Sequence, residues 1–376
     1  MSATPWSTLL ARLRYPLIQA PMAGAQGSGL AVAVSRAGAV GSVPAAMLDA
    51  AGLERELAVL QRELGPQGLP YNINFFCHRP PQADAAQEAR EDAWRQTLAP
   101  YYAQWGLAVG PASSAPQRMP FHAELANVLG ANPPPVVSFH FGLPSAELLD
   151  RVKGWGSVVM ASATTVDEAL WLHARGVDAV IAQGLEAGGH RGHFLRPDHD
   201  LDGQLPLNLL LQALKDAQVG PVVAAGGLGD SALVAAAFQA GAAAVQVGTA
   251  FLLCDESTTP ALHRRALERA AALAHTAGSG AADPPLTALT RLFTGRPARG
   301  LFNRLMRDIG PMSPLAPAFP LAGAALAPVR AKAEAMGQDD FSPLWSGTRP
   351  QACRAVPAAM MVESLMSVWA QSGEGS

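Results

Sequence analysis

Cysteine is scarce. The three in 376 residues, Cys77, Cys254 and Cys353, are too few and too far apart for a disulfide framework. Cys77 and Cys254 sit in apolar, strand-like runs, the usual setting of buried, inert thiols. Charge is scarce too, at 15% of residues, and the only lysines are Lys153, Lys215 and Lys332. A net charge of −3 leaves no basic footprint for nucleic acid. No stretch reaches the ~18 clean apolar residues of a membrane span, and MSATPWSTLLARLRYP at the start has no secretory cleavage pattern. These absences point to a cytoplasmic protein with no membrane partner. An apolar content of 49% excludes a disordered chain.

What the sequence does have is a rhythm. Short, continuous apolar runs alternate with amphipathic stretches as far as residue 255. The expected strands are Leu17–Met22, Val40–Pro44, Tyr71–Cys77, Val136–Phe141, Val158–Ser162, Ala179–Gln183, Pro221–Ala225 and Ala244–Gly248. Continuous apolar runs suit strands buried on both faces, as in a parallel sheet. Helical patterns lie between them, with start signals such as Thr165 before Asp167-Glu168 and Asp230-Ser231 before an alanine run. Eight strands separated by helices is the count of a (β/α)8 TIM barrel, although an open doubly wound sheet gives the same alternation. The long gap Arg79–Pro135 elaborates one crossover and carries a helix over Gln82–Leu98. Residues 1–257 read as the barrel and 258–340 as a smaller helical domain over its mouth, with no strand-like run. Residues 341–376 read as a return to the barrel.

Chemistry in such a barrel gathers at the carboxyl ends of the strands. The seventh strand ends in Ala225-Gly226-Gly227-Leu228-Gly229-Asp230 and the eighth in Gln246-Val247-Gly248-Thr249. Glycines there let backbone N–H groups approach an anion, so a phosphate-bearing ligand is expected, against the plainer reading of tight turns. The first strand ends in Pro21-Met22-Ala23-Gly24, whose glycine spacing is wrong for a dinucleotide fingerprint but suits a flat loop beside a ring system. The sixth leads through Gln183 into Gly188-Gly189-His190-Arg191-Gly192-His193, which presents His190 at the mouth as a base, acid or anion donor. Asn74 on the third strand needs a polar partner, either a ligand or a neighbouring backbone group. His140, at the end of the fourth, is equally a site residue or a satisfied interior histidine. His190, His193 and His199 have no standard metal-ligand spacing, so no metal is expected. A G-x-S-x-G elbow and a P-loop lysine are both missing.

At these residues the chain resembles the nitronate monooxygenase family. The matching stretches are PLIQAPMAG at 16–24, NINFF at 72–76, AQGLEAGGHRGHF at 182–194 and PVVAAGGLGD at 221–230. They continue with AVQVGTAFLLCDES at 244–257, FTGRPARG at 293–300 and LWSG at 344–347. The resemblance implies an FMN enzyme on a (β/α)8 barrel that oxidises alkyl nitronates, propionate 3-nitronate or nitroalkanes, with O2 to a carbonyl compound and nitrite. It implies flavin contacts from Asn74, Gln183 and the Pro21–Ala23 backbone. It also implies backbone contacts from Gly188, Gly189, Gly226 and Gly227, and a phosphate site along Gln246, Val247, Gly248 and Thr249. His190 falls on the family's active-site histidine, and His140 and Phe319 are candidate substrate contacts. Where relatives carry tyrosines and a lysine near 318–330, this chain has Phe319 and Lys332. The longer AQGLEAGGHRGHF loop favours the class that uses no nicotinamide; the alternative is an NAD(P)H-dependent FMN reductase of quinones or enoyl thioesters. A homodimer stays open.

Overall fold

The computed structural model describes residues 4–81, 84–110, 118–277 and 285–371. The expected helix start at Gln82 lies outside them. Eight parallel strands carry the architecture: β1 (Leu17–Gln19), β2 (Gly41–Pro44), β3 (Tyr71–Phe76), β4 (Val136–His140), β5 (Val158–Ala163) and β6 (Ala179–Gln183) come first. A two-residue strand outside the barrel, β7 (Gly189–His190), precedes β8 (Val222–Ala225) and β9 (Ala244–Val247). The eight pair in the order β1-β9-β8-β6-β5-β4-β3-β2, and a parallel bridge from Ile18 to Val40 joins the two ends. The ring is a (β/α)8 barrel, which removes the open sheet from consideration.

Successive side chains on a strand point to opposite faces, and here the two faces have different partners. Inward positions such as Ile18, Val40, Val136, Val158, Ala179, Val223 and Ala244 form a closed apolar core. Trp6 and Leu9, from the helix Pro5–Leu10, pack into it. Most of these strand residues lie at the starts of their strands, so the helix plugs the lower end. Outward positions such as Leu17, Ile73, Val137, Val159, Val180 and Val245 meet the surrounding helices in the main core. Other inward positions are polar and bond between neighbouring strands. Asn72 Nδ2 donates to Ser42 Oγ at 3.0 Å and to Ser138 Oγ at 2.9 Å.

Several of the helices begin where a short polar side chain caps them. Asp49 Oδ1 accepts from Gly52 N at 2.7 Å before Ala50–Leu64, and Asp230 Oδ1 accepts from Leu233 N at 2.9 Å before Ser231–Gln239. Thr165 caps Val166–His173 in the same way. Ala358–Leu365 packs Met361 and Val362 into the main core, filling the outer-layer position that follows β9.

Beyond the barrel two differences from the sequence reading appear. The segment expected to be helical also carries two strands, β10 (Thr287–Thr290) and β11 (Ala298–Leu301), which form an antiparallel sheet with β7. Each is four residues long, and Arg299-Gly300 interrupts the apolar run in β11, so neither has a strand's hydrophobic signature. The crossover helix, observed as Ala85–Gln104, joins this second unit. Its Trp94, Leu98 and Tyr102 share a core with Phe293, Met306, Leu326 and Phe341. Trp94 Nε1 donates to Ala322 O at 2.9 Å and Tyr102 OH to Ala325 O at 2.6 Å. Among the described residues no helix is long and apolar enough to cross a membrane.

The tightest approach of a helix to the barrel is at Gly41. A Cβ there would lie 2.0 Å from Ala31 O and 2.5 Å from Ala31 C, both backbone atoms of the helix Ser28–Arg36. Gly41→Ala should therefore destabilise the fold by about 2–3 kcal/mol, the upper range for an overpacked core. Denaturant titration reads this directly, and an unchanged midpoint would show that the helix can withdraw freely.

Candidate active site

The loop after β6 is held by two buried side chains. Gln183 Nε2 donates to His190 O at 2.9 Å, and its Oε1 accepts from Gly192 N at 2.8 Å. Arg191 is fully buried and donates to Gln183 O, Gly184 O and Gln204 Oε1 at 2.7–2.8 Å. A buried cation is costly unless every donor finds an acceptor, and these three acceptors fix the loop's path. Arg191 has no counter-charge among them, and burial pushes its pKa down to about 9.

The loop delivers His190 to β7, opposite Ala298 of β11. His190 Nε2 lies 3.0 Å from Thr294 Oγ1. That hydroxyl donates to Arg296 O at 3.3 Å, so it accepts from Nε2–H, and Nδ1 carries the lone pair in the tautomer these bonds assign. Aromatic rings surround the imidazole, with Phe319 and Trp345 at 5.5 Å, Phe141 at 5.9 Å and Phe76 at 6.0 Å between ring centres. Phe76, Phe141 and Phe319 are nearly inaccessible to solvent. Phe141 sits at φ 70°, a left-handed conformation that is a genuine outlier for a bulky residue and a form of strain found at functional sites.

His140 also belongs to this chamber. Its Nε2 lies 3.2 Å from His190 O and its Nδ1 3.0 Å from Ser162 Oγ, and the ring stands 4.5 Å from Phe141. His193 turns away, with Nε2 3.2 Å from Asp198 O. Asn74 Nδ2 donates to Ser138 Oγ at 2.9 Å and to Ser138 O at 3.2 Å, so its amide nitrogen is engaged within the barrel. Among the described residues no three His, Cys, Asp or Glu side chains converge as a metal site would require.

The glycine-rich strand ends lie next to the chamber, linked by three residues. Trp345 touches His190, and two residues on Gly347 N donates to Thr249 Oγ1 at 2.9 Å, just past β9. A Cβ on Gly188 would lie 2.5 Å from Gly347 N, so the two loops meet backbone to backbone. Gly226 and Gly227 adopt φ 122° and 70°, and Gly189 φ 71°, conformations in which a side chain would be strained. Beyond β1, Met22 N donates to Gln26 Oε1 at 3.2 Å, and Met22 Sδ would lie 3.6 Å from a Cβ on Gly248. Val247 O accepts from Ala20 N at 2.8 Å, tying the Pro21–Ala23 loop to β9. Gln246 Oε1 is buried with no protein partner, as is Asn72 Oδ1 within the barrel.

A cleft of about 850 Å³ adjoins the aromatic cluster, lined by His78, Phe141, Trp171, Phe194 and Arg296 among others. His190 is not part of its lining. Arg296, one of the residues lining this cleft, is paired to Asp198 at 2.7 Å and stacked 4.0 Å from the centre of the Phe141 ring.

This arrangement matches known proteins along its whole length. The model of the family described as nitronate monooxygenase matches residues 5–367. The chain belongs to the nitronate monooxygenase family. It is 39% identical to a nitronate monooxygenase of Pseudomonas aeruginosa, over 96% of this chain and 97% of that protein. It is 40% identical to one of Paraburkholderia phytofirmans, over 96% and 93%. A crystal structure of nitroalkane oxidase from Streptomyces ansochromogenes superposes with a TM-score of 0.83 at 36% identity, covering 97% of this chain and 99% of that one. This member of the nitronate monooxygenase family is accordingly an oxidoreductase enzyme.

Sequence reading missed Phe76, Phe141, Trp345 and Thr294 as chamber walls, although all except Phe141 lie inside the matching stretches quoted above. Arg118, discussed below, lies in no such stretch.

Burial also sets the charge of the site. Desolvation lowers the pKa of His190 well below the usual histidine value, and the nearby charges of Arg118, His140 and Arg296 lower it further. His140 is lowered to about 3 and His78 to about 4, again chiefly by burial. These groups bind fewer protons folded than unfolded, so their stabilising contribution is complete above about pH 6.5 and is lost as the pH falls. The melting temperature should drop progressively from pH 6.5 to 4.5, and His140→Asn should flatten part of that drop. A flat profile over this window, measured by calorimetry, would mean the chamber is wetter than its burial implies.

Proposed function

We propose that the enzyme oxidises alkyl nitronates, propionate 3-nitronate or the nitronates of simple nitroalkanes, with O2 to a carbonyl compound and nitrite, using FMN. The observation that carries this reading is the juxtaposition at residues 345–347, which set an aromatic, water-poor chamber around His190 directly beside the glycine-bared ends of β8 and β9. The residues fit the cofactor: Gly226, Gly227, Gly248 and Thr249 are suited to its phosphate, and the unpartnered Gln246 Oε1 to a ligand donor. Gln183, Asn74, Gly188, Gly189, Val247 and the Pro21–Ala23 backbone are the further flavin contacts in this reading. FMN supplies the electron-transfer and O2 chemistry when bound.

The chain's own contribution is placement and electrostatics. Phe76, Phe141, Phe319 and Trp345 exclude water, which strengthens every polar contact made inside. Gln183 and Arg191 keep the His190 backbone in place. Burial, with the nearby cations adding to it, keeps His190 neutral; an anionic nitronate offsets the cations' part and draws a proton from solvent to Nδ1. Nδ1–H then donates to a nitro oxygen. A neutral nitroalkane would instead require Nδ1 to take its Cα proton, a poor task for a base of so low a pKa.

His190→Asn should lower kcat/KM by ~10²-fold, as loss of one such donor does, and by similar factors for a nitronate and its parent nitroalkane. A much larger loss with the nitroalkane would assign a base role, and full activity with both would remove His190 from the chemistry. For the cofactor, the purified protein should show a flavin spectrum that a nitronate perturbs anaerobically, with nitrite appearing when air is admitted. NADH and NADPH should leave the spectrum unchanged. Bleaching by either would move the enzyme to the reductase class.

A further inference from the structure

Around the chamber, most of the buried arginines have their acceptors. Arg191 holds three carbonyl-type oxygens, Arg296 holds Asp198, and Arg299 donates to Leu185 O and Thr287 Oγ1. Arg118 differs. Arg291 and Arg296 also leave a buried Nε unpartnered but bond through their other nitrogens, whereas among the described residues the Arg118 guanidinium has a buried, unpartnered Nε and makes no hydrogen bond or ion pair. What it does have is an aromatic face, since Cζ lies 5.7 Å from the centre of the Phe319 ring. The segment carrying it lies beside His78, whose ring stands edge-on to Phe319 at 4.9 Å. Three residues on, Phe121 N donates to Phe76 O at 2.8 Å, at the upper end of β3.

A cation–π contact offsets only part of the cost of burying a guanidinium. An arginine held in this state is prepared for an anion that arrives with a ligand, and its planar fork suits a carboxylate bidentately. Burial already pushes the Arg118 pKa down to about 10, with the charge of Arg330 adding to it, so an incoming anion meets a cation without a competing counter-ion. The geometry fixes where that anion sits relative to the chemistry. His190 and Arg118 lie against the same Phe319 ring, at 5.5 and 5.7 Å from its centre. The site therefore has two polar poles joined by an apolar floor.

We infer that Arg118 is a specificity-determining residue that binds a second anionic group, a carboxylate, on a short-chain nitronate whose nitro end faces His190. The inference deepens the nitronate reading of the site and rests on it for the identity of the first pole. On this view the enzyme prefers substrates that carry negative charge at both ends over those with a neutral alkyl tail.

The test compares 3-nitropropionate with 1-nitropropane, which differ by a carboxylate against a methyl, as ligands of the purified enzyme in calorimetry. The wild type should bind the carboxylate ligand at least tenfold more tightly. Arg118→Gln should abolish that preference while leaving 1-nitropropane within threefold, and Arg118→Lys should keep part of it. In turnover, Arg118→Gln should raise KM for propionate 3-nitronate at least tenfold more than KM for propyl-1-nitronate, while any change in kcat that comes through the charge of His190 is shared by both substrates. Equal wild-type affinities, or equal weakening of both ligands in Arg118→Gln, overturn the inference. Should the Gln variant not fold, Arg118→Lys decides: retained selectivity supports the role, and its complete loss in a folded protein overturns it. Selective binding without nitrite from any nitronate would sink the oxidation reading and leave the anion role of Arg118 standing. Nitrite production with equal affinities would do the reverse.

Discussion

The site depends on one reciprocal clamp. Gln183 reaches forward with its side chain to hold the backbone of residues 190 and 192, while Arg191 reaches back to hold the backbone of residues 183 and 184. Each side chain satisfies groups that would otherwise be orphaned by the other's position, so neither can shift alone. The strand end, the loop carrying His190 and the small outer sheet through β7 become one rigid piece. His190 inherits its position from this clamp, with Thr294 completing it from the opposite side.

Above the plug of Trp6 and Leu9, the barrel interior changes from hydrocarbon to amide and hydroxyl. Ser42, Asn72, Asn74, Ser138, His140 and Ser162 bond mostly to one another across neighbouring strands, so the polar layer is largely self-satisfied. Two oxygens are left open, Asn72 Oδ1 within the layer and Gln246 Oε1 at the strand end proposed to receive the cofactor. Over this layer sit aromatic rings and arginines. Low dielectric and several cations together favour neutral histidines and make an arriving anion the missing charge.

The barrel was legible because its signal is repeated. Continuous apolar runs mark each strand, and polar residues such as Thr165 and Asp230 cap the following helices. The glycines at 226, 227 and 188 were legible as close approaches, since few other uses place glycine at strand ends. Strands β10 and β11 were not, because a four-residue strand paired with β7 and each other needs no long apolar face. The role of Gln183 in holding the loop was also hidden, because a glutamine at a strand end looks the same whether it faces a ligand or a backbone. Arg118 had no local signal at all. Its meaning comes from Phe319, 201 positions away in the chain, and from partners it does not have.

The second core has a consequence for how the molecule is made. Trp94 and Tyr102 are synthesised with the third strand, yet the groups that bury them, Ala322 and Ala325, come 228 and 223 residues later. A chain emerging amino-terminus first has to carry the helix 85–104 with its aromatic face uncovered while most of the barrel is already complete. Phe319 and Trp345 arrive in the same late stretch. The ribosome thus finishes all eight barrel strands before it finishes the chamber, and in the interval the aromatic face of helix 85–104 has yet to receive its cover.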